Sequence, residues 1–228
     1  MFSTSIKVQK VYKQIIAVAI ALCAAGTPLQ AADLSANIGW NSDYVFRGIL
    51  QDTSSANAGL DLEEGGFYLG TWAASVSPGL EYDLYGGYNG TFKKFGYGIG
   101  ATGYFYTDDY DDTYLEINLN GSWKFFSVEA AIGKYENSNG PSQDYLFLAG
   151  KAEYQNFYGL IGGYSRDFEG SYIELGYGDT LTVADTDLFD WSLAIIFRGD
   201  DLPTKGTEDD TYLTLGFTKG FAINLPKN

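Results

Sequence analysis

Apolar and polar residues alternate over most of the chain, as in β-strands that have one apolar and one polar face. From Leu34 to Phe46 the even positions are mostly apolar or aromatic and the odd positions are mostly polar. The same period of two recurs from Leu115 to Phe125 and from Phe189 to Phe197. After residue 31 no apolar run approaches the roughly 18 residues of a membrane-spanning helix, so the pattern predicts no helical span.

The alternation predicts an all-β domain of about twelve antiparallel strands, with about ten as the alternative count. Several segments have the roughly 9–11 residues that a tilted strand needs to cross a membrane. The predicted strands are 34–47, 56–63, 67–76, 80–88, 92–106, 113–125, 128–135, 144–154, 157–165, 171–178, 188–198 and 211–221.

The predicted connections tend to alternate between short and long, which is typical of a membrane barrel with tight periplasmic turns and longer outer loops. The short ones contain Gly65-Gly66, 89–91, 126–127 and 155–156. Longer polar connections follow the first, fifth, seventh and eleventh segments. Two connections depart from this alternation, since 77–79 is short and 179–187 is long.

Alternation fits either a soluble sandwich with an apolar core or a membrane barrel with an apolar outer face. Aromatic residues make up 17% of the chain, and many lie near segment ends, as Trp40, Tyr88 and Tyr154 do. Aromatic side chains at strand ends suit a lipid–water interface. We therefore predict a closed, up-and-down antiparallel transmembrane β-barrel, with a soluble periplasmic ligand-binding sandwich as the alternative.

The first 31 residues have the composition of a secretory signal peptide. Three lysines precede an apolar stretch from Ile15 to Gly26, and Ala31 is the expected cleavage point, with Ala32 as the alternative. The predicted organisation is a cleaved signal peptide at 1–31 and one barrel domain at 32–228. Removal of the signal peptide takes away three basic residues, no acidic residue and the only cysteine, Cys23.

Charge and composition exclude several classes of chemistry. The net charge of −15 disfavours nucleic acid as a partner, because contact with phosphates needs a basic surface. The chain has no histidine, which excludes serine–histidine catalysis and imidazole metal ligands. We expect neither a cofactor nor an enzymatic activity.

If the apolar faces contact lipid, the opposite faces place charged side chains in the barrel lumen, because a charge facing lipid at the midplane costs roughly 2–4 kcal/mol. Acidic residues outnumber basic ones on these faces, which predicts a pathway that favours cations or neutral solutes over anions. The alternative is a salt-bridged, plugged lumen. Arg47 with Asp43 and Asp61 is the preferred charge cluster. The candidate lumen residues are Asp43, Arg47, Asp61, Glu63, Glu81, Asp83, Glu116, Lys124, Glu129, Lys151, Glu174 and Asp190.

Two acidic connections suggest a divalent-cation site as one interpretation and a solvated outer surface as the other. They are Asp108–Asp112, and Asp200 and Asp201 with 208–210. The spacing of Glu81 and Asp83 also fits a carboxylate pair of the kind that hydrolyses glycosides. Because residues two apart share one face of a strand, ordinary inward orientation explains that spacing equally well.

Three stretches in the first half resemble a known family. They are 42–48 (SDYVFRG), 59–61 (GLD) with 66–72 (GFYLGTW), and 81–88 (EYDLYGGY). Together they resemble the TorF-type porins, also described as the Gcw conserved-hypothetical family of Gram-negative bacteria. The resemblance is strongest over 34–90 and implies an outer-membrane β-barrel of unknown substrate.

The signal peptide, the alternation and the resemblance together predict an outer-membrane channel for passive diffusion of small polar solutes. A non-conducting structural or adhesive barrel is the rival hypothesis. The expected partners are outer-membrane lipid, lipopolysaccharide and small polar solutes, with divalent cations at the acidic loops as an open alternative and no nucleic acid.

Overall fold

The computed structural model describes residues 32–204 and 210–224. The predicted signal peptide at 1–31 lies outside these residues. The described chain forms β1 (Asp33–Phe46), β2 (Ile49–Glu64), β3 (Phe67–Ser75), β4 (Leu80–Phe92), β5 (Phe95–Tyr106), β6 (Tyr114–Trp123), β7 (Phe126–Tyr135), β8 (Gln143–Tyr154), β9 (Phe157–Arg166), β10 (Ser171–Val183), β11 (Thr186–Arg198) and β12 (Thr211–Ile223).

The twelve strands close into one antiparallel barrel in chain order. Closure occurs between the first and last strands, since Ala36 of β1 is opposite Leu60 of β2 on one side and Phe221 of β12 on the other. A closed sheet has no unpaired edge. The prediction of an all-β, twelve-stranded antiparallel barrel is therefore confirmed, and the alternatives of ten strands or a sandwich are wrong.

Several strands extend further than the sequence indicates. β2 begins at Ile49 instead of residue 56, because 49–55 pair with the end of β1 across a two-residue turn, 47–48. Segment 179–187, predicted as a long connection, consists of paired ends of β10 and β11 around a two-residue turn, 184–185.

Two short turns also lie a few residues from their predicted positions, at 93–94 and at 124–125. Asn89 and Gly90 are typical turn residues, yet they pair with Gly98 and Tyr97 as part of the ladder between β4 and β5. Their backbone bonds come from the neighbouring strand, so local turn preference does not end the strand there.

The two ends of the barrel differ in their connections. In the described part, one end has five two-residue turns, at 65–66, 93–94, 124–125, 155–156 and 184–185, together with the start of β1 and the end of β12. We call it the turn end. The other end, the loop end, has the connections 47–48, 76–79, 107–113, 136–142, 167–170 and 199–210. Apart from 47–48, every loop-end connection is longer than those of the turn end.

The wall of the barrel has an apolar outward face. Large apolar side chains such as Ile117, Leu119 and Leu148 are 49%, 42% and 53% exposed, and they alternate along their strands with inward residues. The inward face contains both polar and apolar buried residues, for example Ser55 and Ala131 at 0% exposure and Glu81 at 1%. Within residues 32–204 and 210–224 there is no helix long and apolar enough to cross a membrane.

Candidate functional site

The hairpin of β1 and β2 leaves the barrel wall near the loop end. Pairing of β1 with β12 stops at Asn41, and pairing of β2 with β3 starts only at Asn57. Beyond these points the ladder joins β1 and β2 only to each other, from Asp43 opposite Thr53 to Phe46 opposite Ile49. The register of this hairpin shifts between Tyr44 and Val45, and Ser54 has a φ of 56°, which bends the hairpin away from the wall.

Serine side chains replace ladder bonds where the hairpin departs. The backbone N–H of Leu215 donates to Oγ of Ser42 at 2.9 Å. On the other side, Oγ of Ser55 donates to the carbonyl of Ser75 at 2.8 Å, and the N–H of Ala56 donates to Oγ of Ser75 at 3.0 Å. These contacts satisfy backbone groups that would otherwise lose their partners at the departure point.

The end of the hairpin, Val45–Leu50, crosses the barrel interior at the loop end. We call this segment the hairpin tip. Ile49 is 9% exposed and belongs to a buried cluster with Ala131 of β7 and Phe147 of β8, which lie on the far side of the twelve-strand ring from β1. The cluster also contains Tyr172, Ile196, Leu202 and Tyr212. The interior at the loop end is therefore packed with side chains.

Loop 107–113 also holds the hairpin. The Tyr110 hydroxyl donates to the backbone carbonyl of Gln51. Burial, followed by the negative charges of Glu81 and Asp111, raises the pKa of the Tyr110 phenol above its usual range. The phenol therefore stays protonated and remains a donor.

Arg47 at the turn of the hairpin enters a cage of acidic and aromatic side chains. Its Nη1 and Nη2 lie 2.5 and 3.1 Å from the two carboxylate oxygens of Glu116, and Nη2 lies 2.7 Å from Oε1 of Glu129. The guanidinium carbon is 4.1 Å from the ring centroid of Phe147 and 4.8 Å from that of Phe46. The cage thus combines a bidentate ion pair, a second carboxylate and two cation–π contacts.

Residues of the wall hold Glu116 in position. Tyr145 and Tyr104 donate their hydroxyls to its carboxylate at 2.8 and 3.1 Å, and Nδ2 of Asn118 donates at 2.9 Å. None of these three donors belongs to the hairpin. The carboxylate that receives Arg47 is therefore oriented by β5, β6 and β8.

Two further acidic residues are buried in the same interior region. Glu81 is 1% exposed and accepts a hydrogen bond from the Tyr44 hydroxyl at 2.6 Å. Asp83 is 7% exposed, and its Oδ1 is buried without a hydrogen-bond partner among the described residues. The interior near the loop end therefore contains buried acidic residues besides Glu116, which pairs with Arg47, and a second buried arginine, Arg198 of β11.

Toward the turn end the interior contains two cavities, which we call the vestibule. One has a volume of about 330 Å³ and the other about 400 Å³. Both are lined by glycines, amides, hydroxyls and a few charges. The inward polar residues of the first are Asn89, Asn120, Ser122, Ser127, Glu129 and Lys151, and those of the second are Asn41, Thr180, Asp190, Ser192 and Thr218. Glu129 both lines the vestibule and contacts Arg47.

The structure separates the charge cluster expected around Arg47. Arg47 pairs with Glu116 and Glu129, which corrects the expected grouping with Asp43 and Asp61. Asp43 instead accepts from Ser42 at 3.2 Å, and Asp61 accepts from the Tyr85 hydroxyl at 2.6 Å. The expected grouping fails because the hairpin bends across the interior and carries Arg47 away from its neighbours on β1 and β2.

The remaining candidate residues lie apart from the cage. Lys151 pairs with Glu153 at 2.6 Å, and Asp190 accepts from the Thr180 hydroxyl at 2.6 Å. Glu174 accepts from the Tyr158 hydroxyl, and Glu63 lies exposed close to the turn end. Lys124 lies in the turn after β6, not on a strand as predicted, with its ammonium 4.3 Å from the ring centroid of Trp123.

The acidic loops show other uses for their carboxylates. Asp111 accepts from the Tyr114 and Tyr135 hydroxyls at 3.1 and 3.0 Å, and Asp112 accepts from the backbone N–H of Ser138 at 2.7 Å. Among the described residues no group of three or more acidic residues has the arrangement of a metal site. Residues 208 and 209 of the second acidic connection lie outside those residues.

Sequence reasoning missed the aromatic part of the cage. Tyr145 and Phe147 are separated from Lys151 by even numbers of residues on β8, so they lie on the same inward side of the strand. Lys151 was among the predicted lumen residues. This shared parity was the available signal. It indicated that both rings point inward, although it gave no indication that Phe147 contacts an arginine from the opposite side or that Tyr145 donates to Glu116.

Comparison with solved structures shows a shared barrel fold. A structure from work on the in-meso crystallization of membrane proteins has a TM-score of 0.57 at 10% identity, covering 83% of each chain. Pseudomonas aeruginosa OccK1 (OpdK) has a TM-score of 0.43 at 9% identity, covering 75% of this chain and 57% of that one. A bacterial polysaccharide outer membrane secretin has a TM-score of 0.39 at 12% identity. Only the first is similar enough to support the fold, and none supports a function.

No curated protein matches the chain. A family model described as a bacterial protein of unknown function (Gcw_chp) matches residues 25–204. This match covers most of the chain, including all strands from β1 to β11. The chain therefore belongs to the Gcw_chp family.

Proposed function

We propose that this protein is a porin-like channel of the bacterial outer membrane that admits small polar solutes and favours cations and neutral molecules over anions. The observation that carries the proposal is the contrast between the two faces of the barrel wall. Large apolar side chains cover the outward face, while the vestibule is lined by amides, hydroxyls and glycines. This distribution suits a barrel that is surrounded by lipid and holds water inside.

Orientation follows from the connections. Short turns of outer-membrane barrels face the periplasm and longer loops face the exterior. We therefore place the turn end at the periplasm and the acidic loops toward lipopolysaccharide. The predicted signal peptide would direct export across the inner membrane. The resemblance of the sequence to TorF-type porins also supports this assignment. The proposal assigns no catalytic step.

The interior acids support the preference for cations. Asp61, Glu129, Glu174 and Asp190 lie at inward positions of the ladder, where Lys151 is a basic neighbour. Glu81, Asp83 and Glu116 are further inward acidic residues at the loop end, where Arg47 and Arg198 are the buried basic ones. A lumen with an excess of carboxylates lowers the energy of a passing cation and raises that of an anion.

The hairpin tip closes the proposed pathway at the loop end in the described conformation. Conduction then requires the hairpin tip to leave the interior. A non-conducting structural barrel is the second candidate, and the packed cluster around Ile49 is the observation that favours it.

Conductance of a shortened hairpin separates the two candidates. Tyr44 is opposite Asp52, so residues 45–51 can be replaced by Asn-Gly, which closes a two-residue hairpin in register. In planar bilayers we expect a steady, cation-selective conductance from this variant, well above that of the wild-type protein. Heat-modifiable gel migration serves as the control for folding. A folded variant that passes no current would reject the channel and leave the structural barrel.

A further inference from the structure

The cage around Arg47 has the composition of a binding site for an organic cation. Glu116 supplies two carboxylate oxygens, Glu129 supplies a third, and Phe147 supplies an aromatic face at 4.1 Å. Planar bidentate pairing with an aromatic neighbour is the arrangement that recognises a guanidinium group. In the described conformation the occupant is a side chain of the same protein.

The wall part of this cage does not depend on the hairpin. Glu116, Glu129 and Phe147 belong to β6, β7 and β8, and the donors that orient Glu116 also come from the wall. Phe46 is the part of the cage that leaves with the hairpin tip. Departure of Arg47 would therefore expose a largely preformed site, which lowers the ordering cost of binding a replacement.

Buried acidic side chains outnumber buried arginines in this region, with Glu81, Asp83 and Glu116 against Arg47 and Arg198. Glu116 is 3% exposed and paired with Arg47, while Asp83 is 7% exposed with Oδ1 lacking a hydrogen-bond partner in the described chain. Buried carboxylates without a counter-charge are costly, so a region of this kind favours a cation.

Glu129 connects the cage to the vestibule. Its side chain is 39% exposed, lines the first cavity, and contacts Nη2 of Arg47 at 2.7 Å. A cation that enters from the turn end therefore meets Glu129 first. Competition at this carboxylate weakens one of the two ion pairs of Arg47 before the hairpin moves.

From these contacts we infer that the wall residues Glu116, Glu129 and Phe147 form a binding site for small solutes that carry a guanidinium or alkylammonium group, and that Arg47 occupies it as an internal competitor. The inference rests on the proposed channel and names its solute class. A solute that binds only when Arg47 has left shifts the population toward the open hairpin. Entry of the solute and opening of the barrel at the loop end, which we call the mouth, are thereby coupled.

Chemical complementation tests the site directly. Arg47→Ala removes the internal competitor, and ethylguanidinium serves as the probe, with sodium chloride at equal ionic strength and urea as controls for charge and shape. In detergent micelles we expect millimolar ethylguanidinium to raise the melting temperature of Arg47→Ala in a saturable way. The wild-type protein should not respond at those concentrations, because its cage is filled.

Two further variants sharpen the test. Arg47→Ala/Glu116→Gln should bind ethylguanidinium at least about tenfold more weakly, since it loses the bidentate carboxylate. Arg166→Gln removes an exposed arginine at the loop end and should behave like the wild-type protein. Should Arg47→Ala not fold, the shortened hairpin described above offers the same vacant cage, and Glu116→Gln can be combined with it.

The outcomes distinguish this site from the channel. An equal rise in melting temperature with ethylguanidinium and with sodium, or an undiminished rise in the Glu116→Gln background, would overturn the binding site. Conductance of the shortened-hairpin variant would still support the channel in that case. Saturable, Glu116-dependent binding in a barrel that passes no current would retain the site and reject the channel.

Discussion

At the scale of single residues, Glu116 is the centre of the cage around Arg47. Its carboxylate receives both terminal nitrogens of Arg47 and hydrogen bonds from two tyrosines and an asparagine. These contacts offset the cost of holding a carboxylate that is 3% exposed. Removal of its charge leaves Arg47 buried with only Glu129 as an ionic partner.

Glu116→Gln should therefore destabilise the barrel by about 3 kcal/mol, the low end for a broken buried ion pair, because Glu129 remains. The free energy of unfolding can be measured by urea titration in lipid vesicles. Glu136→Gln is the matched control, since Glu136 lies 3.7 Å from Lys134 with both side chains half exposed. The control should change stability by less than about 0.5 kcal/mol. Equal effects of the two substitutions would contradict this description of the mouth.

The sequence predicts the orientation of these residues but not their partners. Position parity along β6 and β7 puts Glu116 and Glu129 on the inward side of an alternating strand. Arg47 is 69 and 82 residues away from them in sequence. Their contact depends on the closure of twelve strands and on the bend of one hairpin, and neither leaves a local pattern in the residues involved.

At the scale of elements, β5 shows how glycine keeps the vestibule wide. Gly96, Gly98 and Gly100 are inward positions, and polar side chains from other strands lie over them. A Cβ on Gly98 would be 2.4 Å from Oδ1 of Asn89, and one on Gly96 would be 2.3 Å from Oγ of Ser122. These glycines let the polar side chains lie flat against the wall instead of projecting into the vestibule.

Gly98→Leu should push Asn89 into the vestibule and lower the conductance of the shortened-hairpin variant. Gly150→Leu is the matched control, because Gly150 faces outward and a Cβ there would meet nothing within 4 Å. Single-channel recordings compare the two on the same background. An equal loss of current in both variants would argue against a pathway along β5.

Strand number was predictable while several strand ends were not. Apolar side chains recur at every second position because one face of each strand contacts a continuous apolar environment, so twelve segments are visible in the sequence. The start of β2 is polar, from Gln51 to Ser55, and resembles a loop. It is a strand because β1 pairs with it across the turn at 47–48. Local turn preference therefore predicts ends less well than pairing does.

At the scale of the whole molecule, the barrel combines an apolar exterior with an interior that changes along the axis. Packed side chains fill the loop end and polar cavities occupy the turn end. The alternation predicts the apolar exterior. The sequence favoured an open polar pathway over a closed one. The closure arises from a hairpin that leaves the wall, and the alternation of residues along a strand does not indicate such a departure.

Accessibility along β6 tests the central claim that alternate side chains face hydrocarbon and the interior. Cys23 is the only natural cysteine and lies in the predicted signal peptide, so a single cysteine at Ile117, Asn118, Leu119 or Asn120 gives one labelled site in the mature chain. After spin labelling in lipid vesicles, we expect high collision rates with oxygen at 117 and 119 and low rates at 118 and 120. Equal oxygen accessibility at all four positions, or higher values at 118 and 120, would contradict the membrane barrel.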